Sequence, residues 1–301
     1  MRFKGLDLNL LVALDALLTD QAVSVAADKI HLSQSAMSGA LSRLREFFND
    51  ELLVSTGRRM VLTPRAEQLV EPVRAVLMQI KATITTKPEF DPAACERELT
   101  IVSSDYAMVA AVAAGLVQVQ REAPRMTFEL LPIDSRAADR IERGETDLLI
   151  TLEPYISPDH PSELLFEDDY VVVAWAENPL IGDTLDEKAY FELGHVGVEL
   201  GLRATVFDTW FLQSGHRSRR LEIVVPSFTL APHMVIGTHR ITTMHRRLAN
   251  HYAKVMPLRL FDAPFELPKI RQVVQWHQVS GQDAAIQWVR ERLTAAIPPS
   301  Q

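Results

Sequence analysis

The segment LSQSAMSGALSRLREFF (32–48) sets Gln34, Ser35, Ser38, Ser42 and Arg45 on one helical face, with Gly39, Arg43 and Glu46 on its shoulder. A Gln carboxamide can pair bidentately with an adenine edge, and Ser hydroxyls both donate and accept. Small side chains also let a helix backbone enter a major groove about 12 Å wide. The chemistry on offer is base-edge reading, and the alternative is a solvated surface helix, which would more often be rich in Glu and Lys. A little further on, ELLVSTGRRMVLTP reads as two extended runs around a Thr56-Gly57 turn, with Arg58 and Arg59 beside it. Arginines carried on such a wing suit DNA phosphates. The expected DNA contacts are Ser33, Gln34, Ser35, Ser38, Ser42, Arg43, Arg45, Arg58, Arg59 and Thr63.

Bond-breaking chemistry finds no comparable signal. The chain has nine His but no HExxH, GxSxG or P-loop, and His245 and His251 are too far apart to share a helix face as a metal pair. The single Cys95 excludes an intrachain disulfide. No enzyme activity, metal or cofactor is expected. A solute-binding module without a DNA role would leave the Gln34 helix and the Arg58-Arg59 wing unexplained.

The elements that would position the reading face begin with an apolar-rich helix at 8–18 and a second at 24–30, SVAADKI, with Ser24 as N-cap. His31 and Leu32 make the connection and Ser33 caps the third helix. Its apolar stripe of Ala36, Met37, Ala40, Leu41, Leu44, Phe47 and Phe48 faces a core. Two short helices, a tight turn and a small polar face form a helix-turn-helix pattern. The charge agrees: residues 1–87 hold eleven Lys+Arg and nine Asp+Glu, a net of +2, whereas the rest holds twenty and thirty, a net of −10.

After Thr63-Pro64 a helical pattern runs over about 65–86, with Leu69, Val73, Val76, Leu77, Ile80 and Ile84 apolar and Pro72 inside it. Such a helix is too long for a small domain to bury, so its stripe is expected to face a second copy, and a dimer would match a near-palindromic site. A linker around Pro88 and Pro92 follows. Beyond it strands and helices alternate: RELTIVSS, a helix over 106–122, MTFELLP, a helix over 136–143, DLLITL, then DDYVVVAWAE. This predicts a mostly parallel sheet covered by helices. A second set follows with a helix at 186–191, HVGVEL, a helix at 205–213, RRLEIVVP, a helix after Ser227, RITTMH and a helix from Arg246. LRLFD, IRQVVQWHQ and a closing helix at 283–296 end the chain. The fold class is α/β multidomain, with a cleft between two lobes. The expected divisions are 1–63 (winged helix-turn-helix), 64–87 (linker helix), 88–96 (hinge) and 97–301 (effector domain), with lobe I about 97–168 and 267–301 and lobe II about 169–266.

No apolar run reaches about 18 residues, and the opening MRFKGLDLNLLVALDALLTD carries acids within its apolar stretch, so neither a membrane span nor a signal peptide is expected and the location is cytoplasmic.

At LDLNLLVALDALL, LSQSAMSGALSRLREFF and LTPRAEQL the chain resembles LysR-type transcriptional regulators, and the likeness extends over its whole length. It resembles most the branch of nodulation-gene and aromatic-degradation regulators, as at Gly194 to Val196 (GHV) and Gln275 to His277 (QWH). The resemblance implies a winged helix-turn-helix, a dimer through the linker helix, and an effector domain of two periplasmic-binding-protein-like lobes. It also implies a homotetramer on promoter DNA, activation through RNA polymerase, and a small aromatic inducer between the lobes. One departure is Ser35, where the family usually has Pro. By position, the inducer contacts would be Ser104, Asp105, Tyr106, Thr151, His195, Phe228 and Thr243. Helix N-termini and strand carboxyl ends are physically suited to this, although Ser104 and Asp105 could equally cap the next helix. A regulator without inducer, its cleft filled by Met108, Phe228 or Trp276, is the remaining alternative.

Overall fold

The computed structural model describes residues 2–3, 6–57, 59–85, 90–200, 203–204 and 218–297. Contacts divide the chain into two compact units, Met1–Lys87 and Pro88–Gln301. In the first, a short ladder of β1 (Arg2–Phe3) and β2 (Leu6–Asp7) leads into α1 (Leu8–Asp20). Asp7 caps α1 by accepting the Leu10 N–H at 2.9 Å. α2 (Val23–Lys29) starts earlier than expected, after Ala22 and without a side-chain cap, so Ser24 is a helix residue and not its cap. Ser33 does cap α3 (Gln34–Phe48), accepting from the Ala36 N–H at 3.1 Å.

Leu14 and Leu17 of α1, Ala26 and Ala27 of α2, and Met37, Ala40, Leu41 and Leu44 of α3 close one apolar core. Ala36 and Phe47 were expected in that stripe but lie at its margin and are exposed. β3 (Leu53–Thr56) and β4 (Arg59–Leu62) form an antiparallel hairpin, turning where Gly57 has a φ of 65° that a Cβ would strain. α4 (Pro64–Thr85) runs through Pro72. Its apolar stripe is not left wholly for a second copy: Ala66, Leu69, Val70, Val73 and Leu77 pack into the core of this unit. Buried Arg74 joins α4 to α1, donating to the Thr19 hydroxyl at 2.7 Å and lying 3.3 Å from the Asp15 carboxylate. Val76 stays exposed, and the Ile84 side chain lies outside the described residues.

The second unit holds two sheets. In the first, β5 (Glu98–Ser103) pairs in parallel with β6 (Thr127–Pro132) and β7 (Leu148–Leu152). Between β5 and β6 lies a helical run, α5 (Asp105–Ala107) and α6 (Ala113–Glu122), joined by one π-turn at Met108–Val112. α7 (Ala137–Glu142) connects β6 to β7. β8 (Ser162–Asp168) was not anticipated, because its first half, Ser-Glu-Leu, is exposed at the sheet edge and lacks an apolar alternation.

The chain then crosses to the second sheet as β9 (Tyr170–Trp175). α8 (Glu187–Glu192), capped by Asp186, precedes β10 (Gly194–Leu200) and β11 (Arg203–Ala204). β12 (Arg220–Val225) and β13 (Ile241–His245) pair in parallel with β10. The helix expected after Ser227 is only a short 3-10 turn at Ala231–Met234, with Pro232 inside it, and the helix expected at 205–213 lies outside the described residues. α9 (Arg246–Ala253) and β14 (Leu258–Phe261) follow, and β15 (Ile270–Gln275) returns to the first sheet before α10 (Ala284–Ala295).

The expectation of mostly parallel sheets holds for β5, β6 and β7 and for β10, β12 and β13. β8 and β7 run antiparallel to β15, and β13 and β14 antiparallel to β9, because the chain enters and leaves each lobe on those strands. One core runs across both lobes, from Leu99, Ile101 and Ile150 to Val171, Val173 and Met244. Among the described residues no helix is long and apolar enough to cross a membrane.

Candidate nucleic-acid interface and effector cavity

α3 buries Met37, Ala40, Leu41 and Leu44, and its 3.6-residue period therefore turns Gln34, Ser35, Ser38, Ser42 and Arg43 to solvent. Ser35 shares a hydroxyl–hydroxyl hydrogen bond of 3.0 Å with the capping Ser33. Ser35 thus bonds the capping side chain itself. A Cβ on Gly39 would meet nothing within 4 Å, so packing does not demand this glycine. In a helix interior it costs about 0.5–1 kcal/mol relative to Ala, and it leaves the middle of the face flat. Arg59 is exposed on the wing; Arg58 lies outside the described residues.

Two expected contacts are occupied elsewhere. Arg45 is half-buried, with its guanidinium donating to the Glu51 and Leu53 carbonyls at 2.8 Å each. The Thr63 hydroxyl donates to the Asp50 carboxylate at 2.6 Å and accepts from the Ala66 N–H, capping α4. The Asp50 carboxyl is held below its usual range, first by the Thr63 hydrogen bond and then by the Leu52 N–H.

In the second unit a small cavity of about 90 Å³ opens between the sheets, lined by Ser104, Tyr106, Thr151 and Phe228 among the expected residues. The Ser104 hydroxyl caps α5, accepting from the Ala107 N–H at 3.3 Å, and the residue also lines the cavity. The Tyr106 hydroxyl donates to buried Asp168 at 2.6 Å, and Asp168 also accepts the Asp169 and Arg247 N–H groups. Burial raises the pKa of both side chains, and for Tyr106 the neighbouring carboxylate adds to the shift.

Asp105, His195 and Thr243, also expected as contacts, lie outside the wall of this cavity. Asp105 ties the lobes together instead, accepting the Thr229 N–H at 2.7 Å. β10 turns the wholly buried His195 toward α8, where its Nε2 bonds the Tyr190 carbonyl at 2.7 Å. Desolvation pushes its pKa down to about 4. The Thr243 hydroxyl meets the Tyr190 hydroxyl at 2.9 Å, so both expected contacts belong to the inside of the second lobe.

Among the residues of the cavity wall that were not anticipated are His245 and Gln272. His245 stacks on Tyr106 with ring centroids 3.7 Å apart and planes 12° apart, and Phe228 stands edge-on to it at 4.5 Å. Full desolvation pushes the His245 pKa down to about 3, so the ring is neutral. Its position at the end of β13, just before α9, is the same strand-to-helix junction that pointed to the other candidates. Gln272 lies within β15 and carries no such signal. The His245 Nδ1 and Gln272 Oε1 are buried without a hydrogen-bond partner among the described residues. Among the described residues no Lys or Arg lines the cavity, and no group of His, Cys, Asp or Glu could hold a metal ion.

Trp276 is buried away from the cavity, with the Arg290 guanidinium carbon 3.4 Å over its ring, and Met108 belongs to the π-turn and does not line the cavity. Of the three side chains expected as possible cleft fillers, only Phe228 stands there.

Residues 8–67 match the bacterial regulatory helix-turn-helix protein model of the lysR family, and residues 95–298 match the LysR substrate binding domain. Nodulation protein D 1 of Mesorhizobium japonicum is 44% identical over 295 residues, covering 97% of this chain and 94% of the relative. Nodulation protein D 1 of Bradyrhizobium sp. (strain NC92) is 42% identical over 292 residues, covering 96% and 93%. Among solved structures, full-length OxyR from Pseudomonas aeruginosa superposes with a TM-score of 0.74 at 18% identity, covering 96% of this chain and 94% of that one, a likeness of fold. The chain therefore belongs to the LysR family of DNA-binding transcriptional regulators, is similar throughout to nodulation protein D, and is not an enzyme.

Proposed function

We propose that the chain activates transcription by binding promoter DNA as a homodimer or homotetramer and by responding to a small aromatic held between its lobes. The observation that carries this reading is the cavity wall: neutral His245 stacked on Tyr106, Phe228 edge-on, and the unsatisfied Gln272 Oε1 and His245 Nδ1. A phenol fits this chemistry better than an aromatic acid. Its O–H can donate to Gln272 and its oxygen can accept from an imidazole N–H, whereas no lining Lys or Arg among the described residues would neutralise a carboxylate. An apolar cavity of about 150 Å³ holds one benzene ring. The cavity of about 90 Å³ here therefore suits a single ring at most unless the lobes part.

On the DNA side, exposed Gln34, Ser35, Ser38, Ser42 and Arg43 read the major groove, and Arg59 meets phosphate. A second reading, a regulator with a closed cleft and no inducer, is favoured by that small volume and by the Asp105–Thr229 tie. The test is gel-shift binding by the full chain to the DNA upstream of its own gene, with a panel of phenols, salicylate-like acids and flavonoids. An altered footprint or bend with an uncharged phenol supports the first reading. Specific binding indifferent to every compound supports the second, and no specific binding overturns both.

A further inference from the structure

Between α3 and β3 the backbone passes twice through the left-handed region, at Asn49 (φ 50°) and at Leu52 (φ 58°). Asn tolerates that conformation, but a Leu rarely adopts it, and this one is also buried to 1% exposure. The segment is held from both ends. Arg45, on α3, reaches forward so that Nε donates to the Glu51 carbonyl and Nη2 to the Leu53 carbonyl, each at 2.8 Å. From the other side, Asp50 accepts the Leu52 N–H at 2.7 Å and the Thr63 hydroxyl at 2.6 Å, while the Thr63 N–H donates to the Leu52 carbonyl at 3.0 Å. The Arg45–Glu51 ion pair, at 3.2 Å, joins a carboxylate that is two-thirds exposed, so solvent screens it and the two carbonyl bonds do the holding.

We propose that Arg45 is a positioning residue for DNA recognition. Its planar fork links the reading helix to the first strand of the wing, setting the distance at which Arg59 meets phosphate while Gln34 is in the groove. An arginine expected at the DNA surface acts here through the wing instead. This rests on the proposed assignment of Gln34 and Arg59 as DNA contacts.

The test uses the full chain and a duplex that the wild-type protein selects from a random library, with binding measured for Arg45→Lys, Arg59→Ala and the double variant over a range of salt. Lysine keeps the charge but cannot span two carbonyls. Arg45→Lys is expected to bind about tenfold more weakly, the equivalent of one charge-assisted hydrogen bond. The double variant is expected to bind no more weakly than Arg59→Ala alone. Wild-type affinity in Arg45→Lys overturns the proposal, as does a loss that adds in full to that of Arg59→Ala, and either leaves the Arg59 contact standing. If Arg59→Ala itself binds like wild type with an unchanged salt dependence, the wing contact fails and the proposal with it. Should Arg45→Lys not fold, Arg45→Gln, which retains a donor for one carbonyl, enters the same cycle and is read the same way.

Discussion

On α3, Gln34, Ser35, Ser38 and Ser42 are exposed, close in the chain, and turned outward by the burial of Met37, Ala40, Leu41 and Leu44. In the effector cavity, Tyr106, Phe228 and His245 are far apart in the chain, and Tyr106 and His245 are almost wholly buried. The first region spends little folding energy on its functional side chains, which hang in solvent from a helix that other residues hold. In the second, the side chains that would meet a ligand are themselves part of the core that joins the lobes. Substitutions should therefore separate binding from stability at the DNA face and confound them at the cavity.

The largest effect belongs to the cavity. Tyr106→Ala removes a buried ring, its stack on His245 and the partner of Asp168, and is expected to cost about 3–5 kcal/mol by urea unfolding of the full chain. A cost under about 1 kcal/mol, the range of an exposed substitution, would erase the contrast.

Acid sharpens the same comparison. His195 and His245 have folded-state pKa values pushed down to about 4 and about 3, so the unfolded chain takes up protons below pH 6.5 that the folded chain refuses. Stability is thus fully present above pH 6.5 and falls as the pH drops toward those folded values, by about 3 kcal/mol for the pair between pH 6.5 and 5. Asp168, whose carboxyl is raised by burial, works in the opposite direction and offsets part of the loss. Urea midpoints at the two pH values measure the net. His245→Phe should flatten the dependence, and equal stability of the wild type at both would refute the assignment.

The smallest effect on folding is expected at the DNA face. Gln34→Ala should leave stability within about 0.5 kcal/mol while removing about 1–3 kcal/mol of discrimination at one or two base pairs. Equal loss on selected and random duplexes would mean that Gln34 does not read bases.

The legibility of each region follows from the same distinction. Periodicity along α3 was enough to tell its inner from its outer face, because helical geometry is local; it misassigned only the margin, Ala36 and Phe47. The bonds of Arg45 were not legible, because its partners are main-chain carbonyls in the segment beyond the helix and no side-chain pattern announces them. His195 and Thr243 sit at strand positions that resemble ligand contacts, yet α8 packs over them and places Tyr190 between the two. β8 escaped notice because an edge strand with one exposed end lacks the alternation by which strands are recognised.

The sequence by itself determined the family, the helix-turn-helix, the asymmetry of charge and the alternation of strands and helices, since these rest on spacing, capping and composition within short windows. Tertiary structure alone decided that His245 stacks on Tyr106, that Asp105 ties one lobe to the other and that Arg45 faces the wing. Those outcomes depend on which distant segment arrives beside each residue, and on the desolvation and hydrogen-bond partners it brings, neither of which is encoded in the neighbouring letters.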